Sequence, residues 1–111
     1  VTVARLADAL HLPPQVLPVL EPAGLPGGLA DLPLGRIDAR CGTTAAACIR
    51  AAAARVAAGE AAALVTAPIH KEALAAAGEP WPGHTELLQA EAGGMPVRMM
   101  LANDEIKTVL V

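Results

Sequence analysis

The sequence predicts an α/β fold built on a mixed sheet, and three observations point to it. Short apolar runs alternate with segments of helical period. Gly or Pro closes each helical segment. One apolar run, Ala61 to Val65, leads to Pro68 just before a new helical pattern begins. A buried strand that ends in a loop, from which a helix then leaves, reads this way.

The elements follow in order. Val3 to Leu12 predicts a helix, because Val3, Leu6, Ala7 and Leu10 fall at helical spacing and Pro13-Pro14 stops the run. Val16 to Leu20 is a short strand candidate, and Pro18 restricts it to a sheet edge or to no strand at all. Glu21 to Gly35 is rich in Pro and Gly and reads as an irregular surface loop. Its Gly27-Gly28 pair lacks the spacing of a dinucleotide fingerprint.

Thr43 to Ala58 predicts the longest helix, with Thr43 or Thr44 as N-cap and Gly59 as its stop. Ala45, Cys48, Ile49, Ala52 and Val56 form its apolar face, and Arg50 and Arg55 lie away from it. Ala61 to Thr66 then reads as a central strand, apolar on both faces. Ile69 to Ala77 is a helix ended by Gly78, and Glu79-Pro80-Trp81-Pro82-Gly83 is a rigid loop. Thr85 to Ala92 is a short helix ended by Gly93-Gly94. Val97 to Leu101 and Ile106 to Val111 predict an antiparallel pair, turned at Asn103-Asp104.

Composition narrows the class. The chain has 111 residues, enough for one small domain. It lacks an initiator Met and ends on an apolar run, which reads as a piece of a longer protein. Hydrophobic content is 54% but aromatic content is 1%, from Trp81 alone. Much of the apolar fraction is Ala, so the core is expected to be thin, built from Leu, Val, Ile and Met. The net charge of -3, with both signs interspersed, gives no basic surface for nucleic acid. Arg50 and Arg55 interrupt the Ala-rich helix, which is too short to span a bilayer. Cys41 and Cys48 are not a C-x-x-C pair and read as reduced, partly buried thiols.

The chemistry-bearing residues gather in Thr66 to Lys71 and Gly83 to Glu86. His84 and Thr85 open a helix, where backbone N–H groups favour an anion. A His and a hydroxyl there could hold a phosphate or a carboxylate; alternatively, Thr85 only caps the helix and His84 lies on the surface. His70 and Lys71 could face the same crevice or a solvated helix face. His11 reads as a helix-end residue. A metal centre needs three or four converging ligands, and only His70 and His84 are plausible donors, so a complete metal site within the chain is not expected. No Ser occurs, and neither Cys has a His nearby in sequence.

The segment Thr66-Ala67-Pro68-Ile69-His70-Lys71-Glu72-Ala73-Leu74, then Ala77-Gly78, then Pro82-Gly83-His84-Thr85-Glu86, resembles the 4-hydroxythreonine-4-phosphate dehydrogenase family. Met99-Met100-Leu101-Ala102 and Asp104-Glu105-Ile106 continue the resemblance. It covers residues 35–111 as a family-like core, and residues 1–34 match only in general character. It implies an incomplete three-layer α/β/α fold, similar to isocitrate and isopropylmalate dehydrogenases. It implies a cytoplasmic homodimer that oxidises and decarboxylates 4-phosphooxy-L-threonine with NAD, giving 3-amino-2-oxopropyl phosphate in vitamin B6 biosynthesis. His84 and Thr85 correspond to substrate-contacting residues; Lys71 matches a motif lysine. The divalent metal (Zn, Mg or Co) is held in the family by three histidines beyond Val111, so the chain alone is expected to be inactive. The same motif would serve a paralogue acting on 4-phospho-D-threonate or D-erythronate. A non-catalytic truncated module is the other reading, and an acyl-phosphate transferase rests on fold analogy alone.

Overall fold

The computed structural model describes residues 1–111. The chain is α/β, with its three α-helices in the middle and two small ladders toward the ends. Strand β1 (Thr2–Val3) pairs in parallel with β2 (Val19–Leu20), Thr2 opposite Val19 and Val3 opposite Leu20. Strand β3 (Met99–Ala102) pairs antiparallel with β4 (Lys107–Leu110), from Met99 opposite Leu110 to Ala102 opposite Lys107. The expected single mixed sheet is therefore two separate ladders.

Between β1 and β2 the expected helix is a 3-10 helix, Leu6–His11. Val3 belongs to β1 instead. The Asp8 carboxylate accepts from the Arg5 backbone N–H at 3.0 Å and from Arg5 Nη2 at 2.9 Å, which fixes the first turn. No residue of this helix is buried, and Leu10 is 84% exposed. Without a packed face, six residues gain little from the longer-range bonds of an α-helix. The irregular loop of residues 21–35 is as expected.

Helix α1 (Ala39–Ala57) begins four residues before the expected Thr43. Its N-cap is Asp38, in extended backbone, whose Oδ1 accepts from the Arg40 N–H at 2.8 Å. A carboxylate at the positive end of the helix outcompetes a hydroxyl further on. Thr43 and Thr44 lie inside the helix, donating to the carbonyls of Ala39 and Arg40. At the other end Gly59 takes the left-handed conformation (φ 73°), and the Glu60 N–H reaches back to the Arg55 carbonyl at 2.9 Å. This is the capping expected there.

The expected central strand at Ala61 to Thr66 does not form. The segment is unpaired in either ladder, and Val65 is 94% exposed. Its apolar pattern suits a strand, but a strand needs a neighbour to receive its hydrogen bonds. Helix α2 (Lys71–Ala76) and helix α3 (His84–Glu91) follow, each slightly displaced from its expected bounds. Gly78 ends α2 and Gly93-Gly94 end α3. The β3–β4 turn is set by Asn103, whose Oδ1 accepts from the N–H groups of Glu105 and Ile106 at 3.0 and 2.7 Å.

The core lies where α1 meets α2 and α3. Ala46, Ile49, Leu74 and Leu87 form it, with Ile69, Trp81 and Leu88 packed alongside. Only 7 of 111 residues are buried, so the core is as thin as the Ala content implies. No Val or Met is among them; the three methionines are all exposed. The radius of gyration, 16.0 Å, exceeds the roughly 13 Å of a compact domain this size. Of the expected α1 face only Ile49 is buried; the buried stripe is Gly42, Ala46 and Ile49. An Ala-rich helix marks its faces weakly, because nearly every position is apolar and small. Gly42 is where α1 and α2 touch: a Cβ there would collide with the Ala73 carbonyl and lie 2.9 Å from Leu74 N.

Candidate substrate-binding site

Two short elements carry the sequence-predicted site residues, and the core holds both. Leu74 anchors α2 and Leu87 anchors α3, each 1% exposed. Ile69, just before α2, packs on the same cluster, as does Trp81 in the loop between the helices. The segment Thr66–Pro68 and the first turn of α3 consequently line one cavity of about 280 Å³, closed on its other side by Ala45, Ile49 and Ala52 of α1.

His84 is the first residue of α3 and is half-buried at this cavity. Its Nε2 is enclosed and has no hydrogen-bond partner in the protein. Buried polar atoms are nearly always paired, so the orphaned imidazole nitrogen marks His84 as a residue whose partner these 111 residues do not supply. Thr85, the second residue of α3, is half-buried beside it. The N-cap is Gly83, which offers no side chain to the helix start. The first backbone N–H groups of α3 thus lack a side-chain cap and present the positive end of the helix.

Lys71 and Gly83 are brought together. Gly83 is buried, and the point where its Cβ would lie is 3.8 Å from Lys71 Cε and 3.4 Å from Glu86 Oε2. The Lys71 side chain and the Glu86 carboxylate therefore both lie beside the start of α3. His70 is not gathered in: it is the exposed N-cap of α2, and its side chain makes no capping bond. His11 closes the 3-10 helix on the surface. Cys41 and Cys48 are both free and exposed rather than partly buried. No three His, Cys, Asp or Glu side chains converge, so these residues do not by themselves fit a metal ion.

A larger cavity, about 660 Å³, runs along another face of α1, between Leu6, Leu20 and Pro22 on one side and Ala51 and Val56 on the other. Its wall is mostly apolar and contains none of the predicted site residues.

From the sequence, Arg50 is expected only on the outer face of α1. Its guanidinium in fact reaches both ends of the segment that bears His84. Nη1 and Nη2 donate to the two carboxylate oxygens of Glu79 at 2.8 and 2.6 Å, and Nε donates to Glu91 at 3.0 Å. Those hydrogen bonds from Arg50 hold the Glu79 carboxyl below its ordinary range. The spacing of Gly42, Ala46 and Arg50, each four residues apart, puts Arg50 at the rim of the buried stripe and could have marked it.

Residues 4–111 match the family of the pyridoxal phosphate biosynthetic protein PdxA. Among curated relatives, a 4-hydroxythreonine-4-phosphate dehydrogenase from Beijerinckia indica is 55% identical over 84 residues, 75% of this chain and 25% of its own. A D-threonate 4-phosphate dehydrogenase from Pectobacterium atrosepticum is 39% identical over 109 residues, 95% of this chain and 31% of its own. The crystal structure of a 4-hydroxythreonine-4-phosphate dehydrogenase from Burkholderia phymatum superposes with a TM-score of 0.78 at 31% identity, covering 97% of this chain and 32% of that one. The chain therefore spans between a quarter and a third of the length of these relatives. With all but its first three residues matched, the chain belongs to the PdxA family of pyridoxal phosphate biosynthetic proteins.

Proposed function

We propose that this chain forms one wall of the substrate site of a cytoplasmic, homodimeric, NAD-dependent dehydrogenase. The enzyme oxidises the hydroxyl of 4-phosphooxy-L-threonine, and the oxidised acid loses its carboxyl group to give 3-amino-2-oxopropyl phosphate for vitamin B6 biosynthesis. The observation that carries the reading is the enclosed, unpaired His84 Nε2 at the uncapped start of α3. His84 and Thr85 hold oxygen atoms of the substrate, and the positive helix start and Lys71 favour its negative charge. Family membership supports the reaction class, and the whole fold is inferred to be the three-layer α/β/α type of isocitrate and isopropylmalate dehydrogenases.

NAD would take the hydride, and a divalent metal (Zn, Mg or Co) would stabilise charge on the oxygen being oxidised. This chain's residues do not fit the metal, and no residue here is assigned to NAD. The role of these residues is to bind and orient the substrate. The 111 residues alone are accordingly expected to give no NADH, and substantial turnover by them would overturn that expectation.

A second reading, a dehydrogenase of 4-phospho-D-threonate or D-erythronate, is favoured by the relatives of that class. The test is NADH formation by the full-length protein with NAD, a divalent cation and each phosphorylated acid in turn. Preference for phosphooxy-threonine supports the first reading, preference for a sugar acid supports the second, and silence with all of them refutes both.

A further inference from the structure

We infer that Arg50 is a positioning residue that clamps both ends of the His84–Thr85 segment to α1; the inference rests on the substrate-binding reading above. Glu79 stands immediately before the loop Pro80-Trp81-Pro82-Gly83, and Glu91 is the last residue of α3. One planar guanidinium grips the first through two hydrogen bonds and the second through Nε. Everything between those two carboxylates, including His84 and Thr85, is thereby held at a fixed distance from α1.

The segment needs such a clamp. Helix α3 has eight residues, too few to persist by its own backbone bonds. Its N-cap supplies no side-chain bond, and Leu87 is its one buried side chain. Leu87 and the half-buried Leu88 next to it are its apolar anchors, adjacent in the chain near its middle, so they leave the ends of the helix to be fixed by other contacts, and movement there shifts its first turn, where His84 sits. The two carboxylates of the clamp stop that movement. The Glu79 side chain is only 15% exposed, which shields its part of the network from solvent. Lysine cannot substitute, because a point charge lacks the fork that bonds two carboxylates in fixed directions. The pair of Arg55, on the same helix, with Glu60 just past its end is an internal control, since it joins residues five apart and reaches no site element.

The test uses the full-length protein carrying this segment, with three readouts: kinetics with the phosphorylated acid it turns over, thermal melting, and NMR resonances of the His84 imidazole and the Gly83 and Thr85 amides. Well below the melt, Arg50→Met is expected to lower kcat/KM about tenfold and to shift those resonances. Arg50→Lys should recover part of the melting temperature but not kcat/KM. Arg55→Met should leave kcat/KM and the resonances unchanged. If Arg50→Met does not fold, Glu91→Gln, which removes only the charge at the Nε contact, carries the test with a smaller shift in the same direction. Arg50→Met or Glu91→Gln with a lowered melt but unaltered kcat/KM and resonances would overturn the inference. An inert His84→Ala would instead sink the substrate-binding reading, so the two failures are distinguishable.

Discussion

Replacing Gly42 by Ala should destabilise the fold although it lengthens no side chain beyond a methyl group. Gly42 sits inside α1 at the crossing with α2. Its added Cβ would press on the Ala73 carbonyl and on Leu74 N, which are backbone atoms of α2 and cannot rotate aside. The helices must part. Overpacking of this kind costs about 1–3 kcal/mol. Parting also exposes some of Leu74 and Leu87, each 1% exposed now; losing a third of two such burials costs roughly 1–2 kcal/mol. Against this, Ala gains about 1 kcal/mol over Gly in a helix interior. The net loss is about 1–4 kcal/mol. Far-UV circular dichroism during urea titration measures it, with Ala54→Gly at an exposed site of the same helix reporting propensity alone. Propensity acting alone would make Gly42→Ala more stable by about 1 kcal/mol. A rise in the midpoint would therefore refute the close crossing.

Other outcomes follow from the same structure. Arg50 holds the Glu79 carboxyl below its ordinary range, and Arg40 and Arg5 do so for Asp38 and Asp8. The unfolded chain then binds protons at higher pH than the folded one. Their contribution is full above the ordinary carboxylate pKa of about 4 and is lost as pH falls through the lowered folded values. Urea midpoints measured downward from neutral pH should fall on the acid side, less steeply for Glu79→Gln than for the wild-type chain; equal slopes would contradict the pairing. The 111-residue chain should also self-associate, because every residue of β3 and β4 is exposed, including Met99, Met100, Leu101, Val109 and Leu110. Light scattering across a concentration series checks this, and a monomer throughout would be the contrary result.

Local punctuation was readable in the sequence wherever a residue acts through its own backbone. Gly59 and Gly78 end helices because they adopt conformations other residues resist, and Asn103 makes a turn with its own side chain. The pairing of Gly83-His84-Thr85 with a helix start was readable for the same reason. Features that depend on distant partners were not. The run at Ala61 to Thr66 has strand composition but no strand beside it, and nothing local says so. Asp38 captures the start of α1 from Thr43 through a competition of caps that composition leaves undecided. Arg50 looks like one more solvated charge until Glu79 and Glu91, 29 and 41 residues away, are folded against it. The role of Gly42 appears only once α2 crosses above it.

The claim that most needs testing is that His84 holds the substrate. Steady-state NADH formation by the full-length protein and its His84→Ala variant, over a range of the preferred phosphorylated acid, tests it directly. Removing the imidazole leaves a substrate oxygen unpaired in a buried site, so kcat/KM should fall roughly 10- to 100-fold with an unchanged melting temperature. Equal kcat/KM in the two proteins would mean that the unpaired Nε2 meets something other than substrate, and the site proposed here would be wrong.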